Sequence, residues 1–294
     1  MTKITFIGFG EAGGILAREL AKQADVTVWD RKLDQPQFSA AMQQKADESG
    51  VHVARSLGDA VQGAELIFST VTASESLKVA LAAAADLKAG QTFLDLNSVA
   101  PATKLAAAEG VEASGADYID VAVMAPVPPA GLKTPLLMGG ETAETLNAKL
   151  RSLGLNSQYR SRQVGEASAI KMCRSVMIKG LEALTTECLS AARQYGVEQA
   201  VLDSLHASFP SLGWNAALPD YLISRVAEHG QRRAEEMREV VQTLQDVNVI
   251  PAMSQGIVRT QQGLVDALSQ RGLRYQQLTP FVWQQTLDKI YPKE

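Results

Sequence analysis

The feature that most constrains the fold is the segment at residues 3–31, KITFIGFGEAGGILARELAKQADVTVWDR. Its apolar run at residues 4–7 breaks at a glycine-rich turn, after which apolar residues recur at helical spacing. A second apolar run, at residues 26–29, ends in an acid. This order predicts a strand, a tight turn, a helix and a strand, which together form the first unit of a parallel α/β sheet.

The turn carries glycines at the spacing GxGxxG. We expect the first two glycines to let the backbone turn tightly and approach a pyrophosphate, and the third to let the helix pack on the strand. The helix N-terminus then faces the phosphates, and the acid after the second strand reaches the adenine ribose. A glycine-rich turn without a ligand is the alternative. The residues expected to line this dinucleotide site are Gly8, Phe9, Gly10, Glu11, Ala12, Gly13 and Asp30.

The acid also bears on which dinucleotide binds. A carboxylate at Asp30 accepts hydrogen bonds from ribose hydroxyls and repels a 2′-phosphate, which favours NAD over NADP. Arg31, which we place in the same site, and Lys32 follow at once and partly offset that repulsion. We therefore expect NAD as the cofactor and leave NADP open.

Beyond this segment the chain divides into two parts. Further strands are expected at residues 51–53, 66–70, 92–96, 118–123 and 136–138. They alternate with helical segments, which predicts a Rossmann domain with a doubly wound parallel sheet over residues 1–163. From about Gly165 the strand signal ends, and long helical patterns predict an all-α domain over residues 164–294.

Composition excludes several classes of function. The net charge of −4 and the pI near 5.6 argue against nucleic acid or an anionic membrane as the main partner. Two cysteines are too few for a disulfide framework and lack metal-ligand spacing, so no metal site is expected. The first strand begins at Lys3, which leaves no room for a signal peptide, and we expect a cytoplasmic protein.

Ligands of such sheets bind at the carboxyl ends of the strands. Three such ends, residues 70–73, 97–100 and 124–129, are therefore expected to line one cleft. The sequence also places Val164-Gly165-Glu166-Ala167-Ser168-Ala169-Ile170-Lys171 at the start of the first long helix.

Taken in order, these motifs identify a family resemblance. GFGEAG, then DLNSVAP at residues 95–101, DVAVMAP at residues 120–126 and the spacing from Gly165 to Lys171 resemble the β-hydroxyacid dehydrogenases. That family includes 3-hydroxyisobutyrate and 6-phosphogluconate dehydrogenases. KMCRSVMIKGLEAL and HGQRRAEEM are similar to the phosphogluconate-dehydrogenase-like subgroup with a distinct C-terminal domain. The resemblance implies hydride transfer between a nicotinamide cofactor and a small β-hydroxy acid or related alcohol.

The resemblance also implies roles for single residues. Lys171 matches the family's general acid or base, and an ammonium beside the nicotinamide can donate to a carbonyl oxygen during hydride transfer. Ser98 matches the contact to the substrate carboxylate. A surface lysine and a serine that caps the helix before Pro101 are the structural alternatives. Thr70, Val71 and Thr72 match the turn that lines the cofactor. A homodimer or higher homo-oligomer is expected, held by the helical domain.

Four departures from the family pattern are visible. The substrate turn reads Met124-Ala125-Pro126 in place of Ser-Gly-Gly, which makes it bulkier and stiffer. Ser175 replaces an asparagine one turn after the lysine, and Glu235-Glu236 replaces a Lys-Asp pair. Ile178 stands where 6-phosphogluconate dehydrogenase has a glutamate for decarboxylation, so decarboxylation of that sugar phosphate is not expected.

A separate cluster lies in the helical domain. His229, Arg232 and Arg233 share a helix face, and arginine can hold a carboxylate or phosphate through two bonds. We predict that they bind the anionic part of the substrate. A solvated face paired with Glu235, Glu236 and Glu239 is the alternative.

Two other functions stay open at this point. The same lysine suits a non-oxidative lyase that catalyses a retro-aldol step, which would give no net change in NADH. A dinucleotide-binding sensor without turnover is favoured by the departures at Ser175 and Glu235-Glu236.

Overall fold

The computed structural model describes residues 1–292 and divides the chain into two compact units after Met172. The predicted domain boundary at residue 163 lies just before the helix that contains this division, α8 (Glu166–Tyr195). Within residues 1–292, no helix combines the length and the apolar character that a membrane span needs.

The first unit is built on one sheet of eight strands. In chain order these are β1 (Lys3–Ile7), β2 (Asp25–Trp29), β3 (His52–Val53), β4 (Leu66–Ser69), β5 (Thr92–Asp95), β6 (Asp117–Val123), β7 (Leu136–Gly139) and β8 (Ser157–Ser161). Their spatial order is β3-β2-β1-β4-β5-β6-β7-β8. Because β1 is followed by β2 on one side and β4 lies on its other side, the strand order reverses between β1 and β4. Such a reversal opens a crevice at the carboxyl ends of the strands.

Helices cover both faces of this sheet, as predicted. They are α1 (Glu11–Leu20), α2 (Pro36–Ser49), α3 (Leu57–Val61), α4 (Ser76–Ala84), α5 (Pro101–Glu112), α6 (Val127–Ala130) and α7 (Ala143–Ser152). Leu16, Leu20 and Leu150 belong to the apolar core on one face. Ala80 and Val111 belong to the core on the other. The burial of strands on both faces explains why their sequences are continuous apolar runs.

Two details of the sheet differ from the expectation. β7 runs antiparallel to β6, whereas the alternation of strands and helices predicted a parallel sheet throughout. The segment between these strands contains only the four-residue α6 and a 3-10 turn, whereas a parallel crossover usually contains a full helix. The edge strand β8 and the helix α7 before it were not predicted. The residues of β8, SQYRS, are mostly polar and give no apolar run.

The second unit is helical throughout its described part. It contains most of α8, then α9 (Glu198–Ser208), α10 (Leu218–Asp246), α11 (Ala252–Gln270) and α12 (Trp283–Ile290). Ile223, Leu264 and Trp283 belong to its apolar core. Gly230 lets α10 approach α11 closely, since a Cβ there would lie 2.3 Å from the carbonyl oxygen of Gln261. The predicted all-α character of this part of the chain is confirmed.

Candidate functional site

The glycine turn between β1 and α1 has the geometry that its spacing predicted. Gly8 has a φ of +98°, which only glycine adopts without strain, and its N–H donates to the carbonyl of Trp29 at 2.8 Å. A Cβ on Gly13 would lie 2.2 Å from the carbonyl oxygen of Gly8, so this glycine allows helix and turn to pack closely. A Cβ on Gly10, in contrast, would meet no protein atom within 4 Å. The turn is therefore closed by Gly8 and Gly13 and open to a ligand at Gly10.

Asp30 lies at the end of β2 and is fixed by two backbone donors. One carboxylate oxygen accepts from Phe9 N at 2.8 Å, and the other accepts from Lys32 N at 2.9 Å. These bonds tie the acid to the glycine turn. The remaining lone pairs of the carboxylate suit ribose hydroxyls. Arg31 is exposed, and its guanidinium lies 3.3 Å from the Glu75 carboxylate.

The end of β4 contacts the same turn. Thr70 donates its hydroxyl to the carbonyl of Gly8 at 2.7 Å. Val71 and Thr72 continue from Thr70 as the predicted cofactor-lining segment, with Val71 half-buried and Thr72 exposed. The crevice between β1 and β4 is thus lined by two turns joined by a hydrogen bond. With Glu11 and Ala12 at the start of α1, these residues fit a dinucleotide whose pyrophosphate lies against Gly10.

Lys45, on α2, belongs to this site although the sequence gave no sign of it. Its ammonium donates to the carbonyl groups of Phe9 and Gly10, each at 2.7 Å, and lies 4.4 Å from the centre of the Phe9 ring. Burial is the main cause that lowers the pKa of Lys45. The lysine stiffens the glycine turn and adds a positive charge near it.

Ser98 and Lys171 lie together although they are far apart in the chain. Lys171 Nζ donates to Ser98 Oγ at 2.5 Å, and both side chains are half-buried within the first unit. Ser98 is not the cap of α5, since Ala100 holds that position without a side-chain hydrogen bond. The hydroxyl accepts from the ammonium and keeps its own proton available for another acceptor. The two residues thus form a pair able to hold one substrate through two different groups.

The pair sits at the carboxyl edge of the sheet. Ser98 follows β5, and β4 and β6 are its parallel neighbours, so their carboxyl ends share this edge. Met124, Ala125 and Pro126 follow directly on β6; the first two are half-buried and the proline is exposed. The three strand ends expected to line one cleft therefore lie side by side. Ser175 lies one turn after Lys171 on α8 and is buried.

The predicted anion cluster of α10 has three different environments. Arg233 is buried and its guanidinium bonds to the carboxylate of Glu182 from α8. Arg232 is exposed and pairs with Glu236 at 2.7 Å. His229 is half-buried with its Nε2 3.2 Å from Glu228. Arg232 thus pairs with a glutamate on a solvated helix face, which was the alternative to anion binding. Arg233 instead joins α10 to α8.

The charge state of His229 follows from its surroundings. Burial and the guanidinium groups of Arg225, Arg232 and Arg233 lower its pKa to about 4. The imidazole is therefore neutral near pH 7. Substrate binding by His229, Arg232 and Arg233 stays a prediction.

Four residues near Ser98 and Lys171 were not assigned from sequence: Asp95, Lys104, Tyr118 and Asp120. All four are buried in the first unit and bonded to one another. Asp95 and Asp120 stand inside predicted strands, and a buried carboxylate needs a partner. An acid inside a predicted buried strand is therefore the sequence signal that points to this group of residues. In residues 1–292, no three side chains of His, Cys, Asp or Glu come together in a way that could hold a metal ion.

Comparison with known proteins agrees with this geometry. Residues 3–154 match the model of the NAD binding domain of 6-phosphogluconate dehydrogenase. Residues 192–264 match a domain of unknown function, DUF1932. A 3-hydroxyisobutyrate dehydrogenase of Pseudomonas aeruginosa is 30% identical over 229 residues, which cover 75% of this chain and 74% of that protein.

Solved structures resemble this chain over nearly its whole length. A conserved hypothetical protein from Sinorhizobium meliloti is 36% identical, with a TM-score of 0.77, and the match covers 99% of this chain and 97% of that one. The 3-hydroxyisobutyrate dehydrogenase of Mycobacterium tuberculosis, solved with L-serine, has a TM-score of 0.72 over 99% of this chain and 100% of its own. At 14% identity, this second likeness concerns the fold alone.

The fold and the glycine turn define a Rossmann protein that uses NAD(P) as its cofactor. More particularly, the chain belongs to the β-hydroxyacid dehydrogenase family, in the form that carries a separate C-terminal domain. The predicted family, fold class and cofactor are confirmed. The family and fold are those of NAD(P)-dependent hydroxyacid dehydrogenases, which are oxidoreductases.

Proposed function

We propose that this protein is an NAD-preferring dehydrogenase of a small β-hydroxy acid or related alcohol, with Lys171 as general acid and base. The observation that carries the proposal is the hydrogen bond of 2.5 Å from Lys171 Nζ to Ser98 Oγ. It joins the two family-matched residues that act on the substrate in this interpretation. The 3-hydroxyisobutyrate dehydrogenase of Pseudomonas aeruginosa supports a substrate of this size and class.

The roles of the two residues follow from their donors and acceptors. When bound, the nicotinamide supplies or accepts the hydride at the carbinol carbon. Lys171 holds the oxygen of that carbon, donating a proton to it during reduction and removing the proton during oxidation. Ser98 accepts from the ammonium, which fixes the direction of Lys171, and its O–H is free to donate to the substrate carboxylate. Both contacts together orient the substrate for transfer.

The preference for NAD is argued from Asp30. Its carboxylate is held by two backbone N–H groups, so it cannot easily turn away from a ligand. A 2′-phosphate would meet this fixed negative charge, whereas a 2′-hydroxyl can donate to it. Arg31, the positive charge that follows, pairs with Glu75 and is partly neutralised. We therefore expect NADH to bind more tightly than NADPH.

The test is replacement of Lys171 by alanine. We expect kcat with the best β-hydroxy acid of a panel to fall by about 10² to 10⁴, since general acid and base catalysis contributes that much. NADH binding, followed by fluorescence titration, should stay within about threefold, because the variant leaves the glycine turn, Asp30 and Thr70 of the proposed cofactor site unchanged. Arg174→Ala, at an exposed position on the same helix, is the matched control and should keep full turnover.

The same experiment separates the alternative functions. Turnover that survives in the Lys171→Ala variant would contradict the assignment of the lysine. Product formed by the wild-type protein without any net change in NADH would favour the non-oxidative lyase. Tight NADH binding with no product on the whole panel would favour the sensor.

A further inference from the structure

A lysine lies fully buried between two carboxylates beside the site. Lys104, on α5, has no exposed surface, and its Nζ donates to the backbone carbonyl of Asp95 at 2.6 Å. The same nitrogen is 3.0 Å from the Asp95 carboxylate and 3.5 Å from that of Asp120. Asp95 and Asp120 are register partners on the parallel strands β5 and β6, so their side chains point to the same face. Two carboxylates at this spacing need a cation between them.

Asp95 holds the turn that carries Ser98. One of its carboxylate oxygens accepts from Asn97 N at 2.9 Å. The other accepts from the hydroxyl of Tyr118 at 2.7 Å and from that of Ser76 at 3.2 Å. Burial, with the charge of Asp95, raises the pKa of Tyr118 well above its usual value, so the phenol remains a donor. The bond from Asn97 N therefore restrains the backbone next to Ser98, and the other bonds hold the Asp95 carboxylate in place.

Asp120 holds the helix that carries Lys171. It accepts from the backbone N–H groups of Gly165 and Ser168, at 3.1 Å and 3.0 Å, and from the Ser168 hydroxyl at 2.5 Å. These donors belong to the first turn of α8 and to the residue before it, which lack partners within the helix. Lys171 follows Ser168 by one turn on the same face. The direction of Lys171 thus depends on where Asp120 places the helix start.

We propose that Lys104 and Asp120 are positioning residues for the Ser98–Lys171 pair. Lys104 pairs both with Asp95 on β5, which holds the Ser98 turn, and with Asp120 on β6, which holds the start of α8. This inference rests on the proposed function and deepens it. Lys104 and Asp120 act through the segments that carry the pair. Each fixes one of the two segments that must meet for Lys171 to donate to Ser98.

Stability alone does not account for this arrangement. Buried ion pairs are often replaceable by apolar side chains of the same volume without loss of stability. An apolar trio would fill the space but could not accept from Gly165, Ser168 and Asn97 in fixed directions. The carboxylates provide directional bonds, and Lys104 provides the charge that lets both carboxylates stay buried.

The test uses Asp120→Asn and the double variant Lys104→Met/Asp120→Asn in the full-length protein. Asp120→Asn alone keeps the buried pair of Lys104 with Asp95, and the double variant leaves one buried carboxylate, Asp95, where Lys104→Met alone would leave two. We expect kcat to fall 10- to 100-fold in both variants, while KM and the NADH dissociation constant stay within about threefold. Asp117→Asn, at the start of the same strand, is the control and should match the wild type.

Amide hydrogen exchange tests the position of the α8 start without a measurement of enzyme activity. The amides of residues 165–168 should exchange at least tenfold faster in both variants, and those of β1 should not change. Unchanged kcat would overturn the proposal, with or without faster exchange. A fall in kcat accompanied by an equal loss of NADH binding would also overturn it, since that is the result of general unfolding.

A failure of the proposed dehydrogenase function can be distinguished from a failure of the positioning proposal. In that case the wild-type protein itself gives no NADH change on any hydroxy acid. The reactivity of Lys171 toward acetic anhydride, measured by mass spectrometry across pH, then decides the positioning role. A changed pH profile in Asp120→Asn, with the profile of Asp117→Asn unchanged, supports the proposal, and identical profiles overturn it.

Discussion

At the scale of single residues, a substitution of Gly10 can test cofactor binding separately from the stability of the fold. A Cβ on Gly10 would meet no protein atom within 4 Å, so the protein itself leaves room for a methyl group there. We expect Gly10→Ala to weaken NADH binding about tenfold, or ~1.4 kcal/mol, because the added methyl occupies the space of the pyrophosphate. The melting temperature should change by less than about 3 °C. Fluorescence titration and thermal unfolding measure the two effects.

Two other glycines serve as controls for Gly10. Gly13→Ala should lower the melting temperature strongly, since its Cβ would lie 2.2 Å from a backbone oxygen. Gly263→Ala, at another open position, in α11, should leave NADH binding unchanged. NADH binding by Gly10→Ala at wild-type strength would show that the pyrophosphate does not lie against this residue.

Single residues could be predicted from the sequence where they lie at a fixed spacing within one short segment. Gly8, Gly10, Gly13 and Asp30 lie within one strand–helix–strand unit, and the structure has this unit where the sequence predicted it. Their contact with the dinucleotide stays a prediction. Lys171 is proposed only through the family's motif order, because nothing in its own helix distinguishes it from a surface lysine. Lys45 carried no signal, since its partners Phe9 and Gly10 belong to a distant part of the chain. Lys104 could be found only through the acids inside the two neighbouring strands.

At the scale of elements, α2 supports the glycine turn through one side chain. Lys45 donates to the carbonyl groups of Phe9 and Gly10. We expect Lys45→Met, which keeps the length of the side chain, to weaken NADH binding by about three- to tenfold. The turn loses two bonds, and the bound phosphates lose a nearby positive charge. The loss should be smaller at high salt, because salt screens the charge.

A lysine at the opposite edge of the sheet provides the control for this prediction. Lys88 is exposed and precedes β5 at its amino end, away from the glycine turn. Lys88→Met should leave NADH binding unchanged at both salt concentrations. Equal losses in the two variants would mean that the overall charge of the protein, and not the contact to the turn, controls binding.

Strands and helices could be predicted where their burial requires a regular pattern of apolar residues. Strands covered on both faces gave apolar runs, and the long helices of the second unit gave periodic ones. β8 was missed because an edge strand has polar residues and few apolar ones. The direction of β7 could not be derived, since periodicity is the same in parallel and antiparallel strands. Only the short connection after β6 contained that information.

At the scale of the whole molecule, we expect self-association through the second unit. Four apolar side chains of α8 lie on one helix face and are 39–66% exposed: Met177, Ile178, Leu181 and Leu184. Exposed apolar stripes of this kind commonly mark interfaces. Sedimentation velocity should show a homodimer or larger species for the wild type, and Leu184→Glu should shift it toward the monomer.

The matched control for self-association is another exposed leucine. Leu105 lies on α5 of the first unit and is 54% exposed. Leu105→Glu should sediment like the wild type. A wild-type protein that is monomeric at all concentrations would contradict the expectation of an oligomer.

The position of Asp120 has a consequence for how this molecule can diverge. The carboxylate that holds α8 lies inside β6, whereas the predicted substrate turn begins only after that strand ends at Val123. Side chains at residues 124–126 can therefore be exchanged without loosening the helix that carries Lys171. On the proposed function, substitutions in this one turn would change the substrate while Lys171 and Asp120 stay as they are.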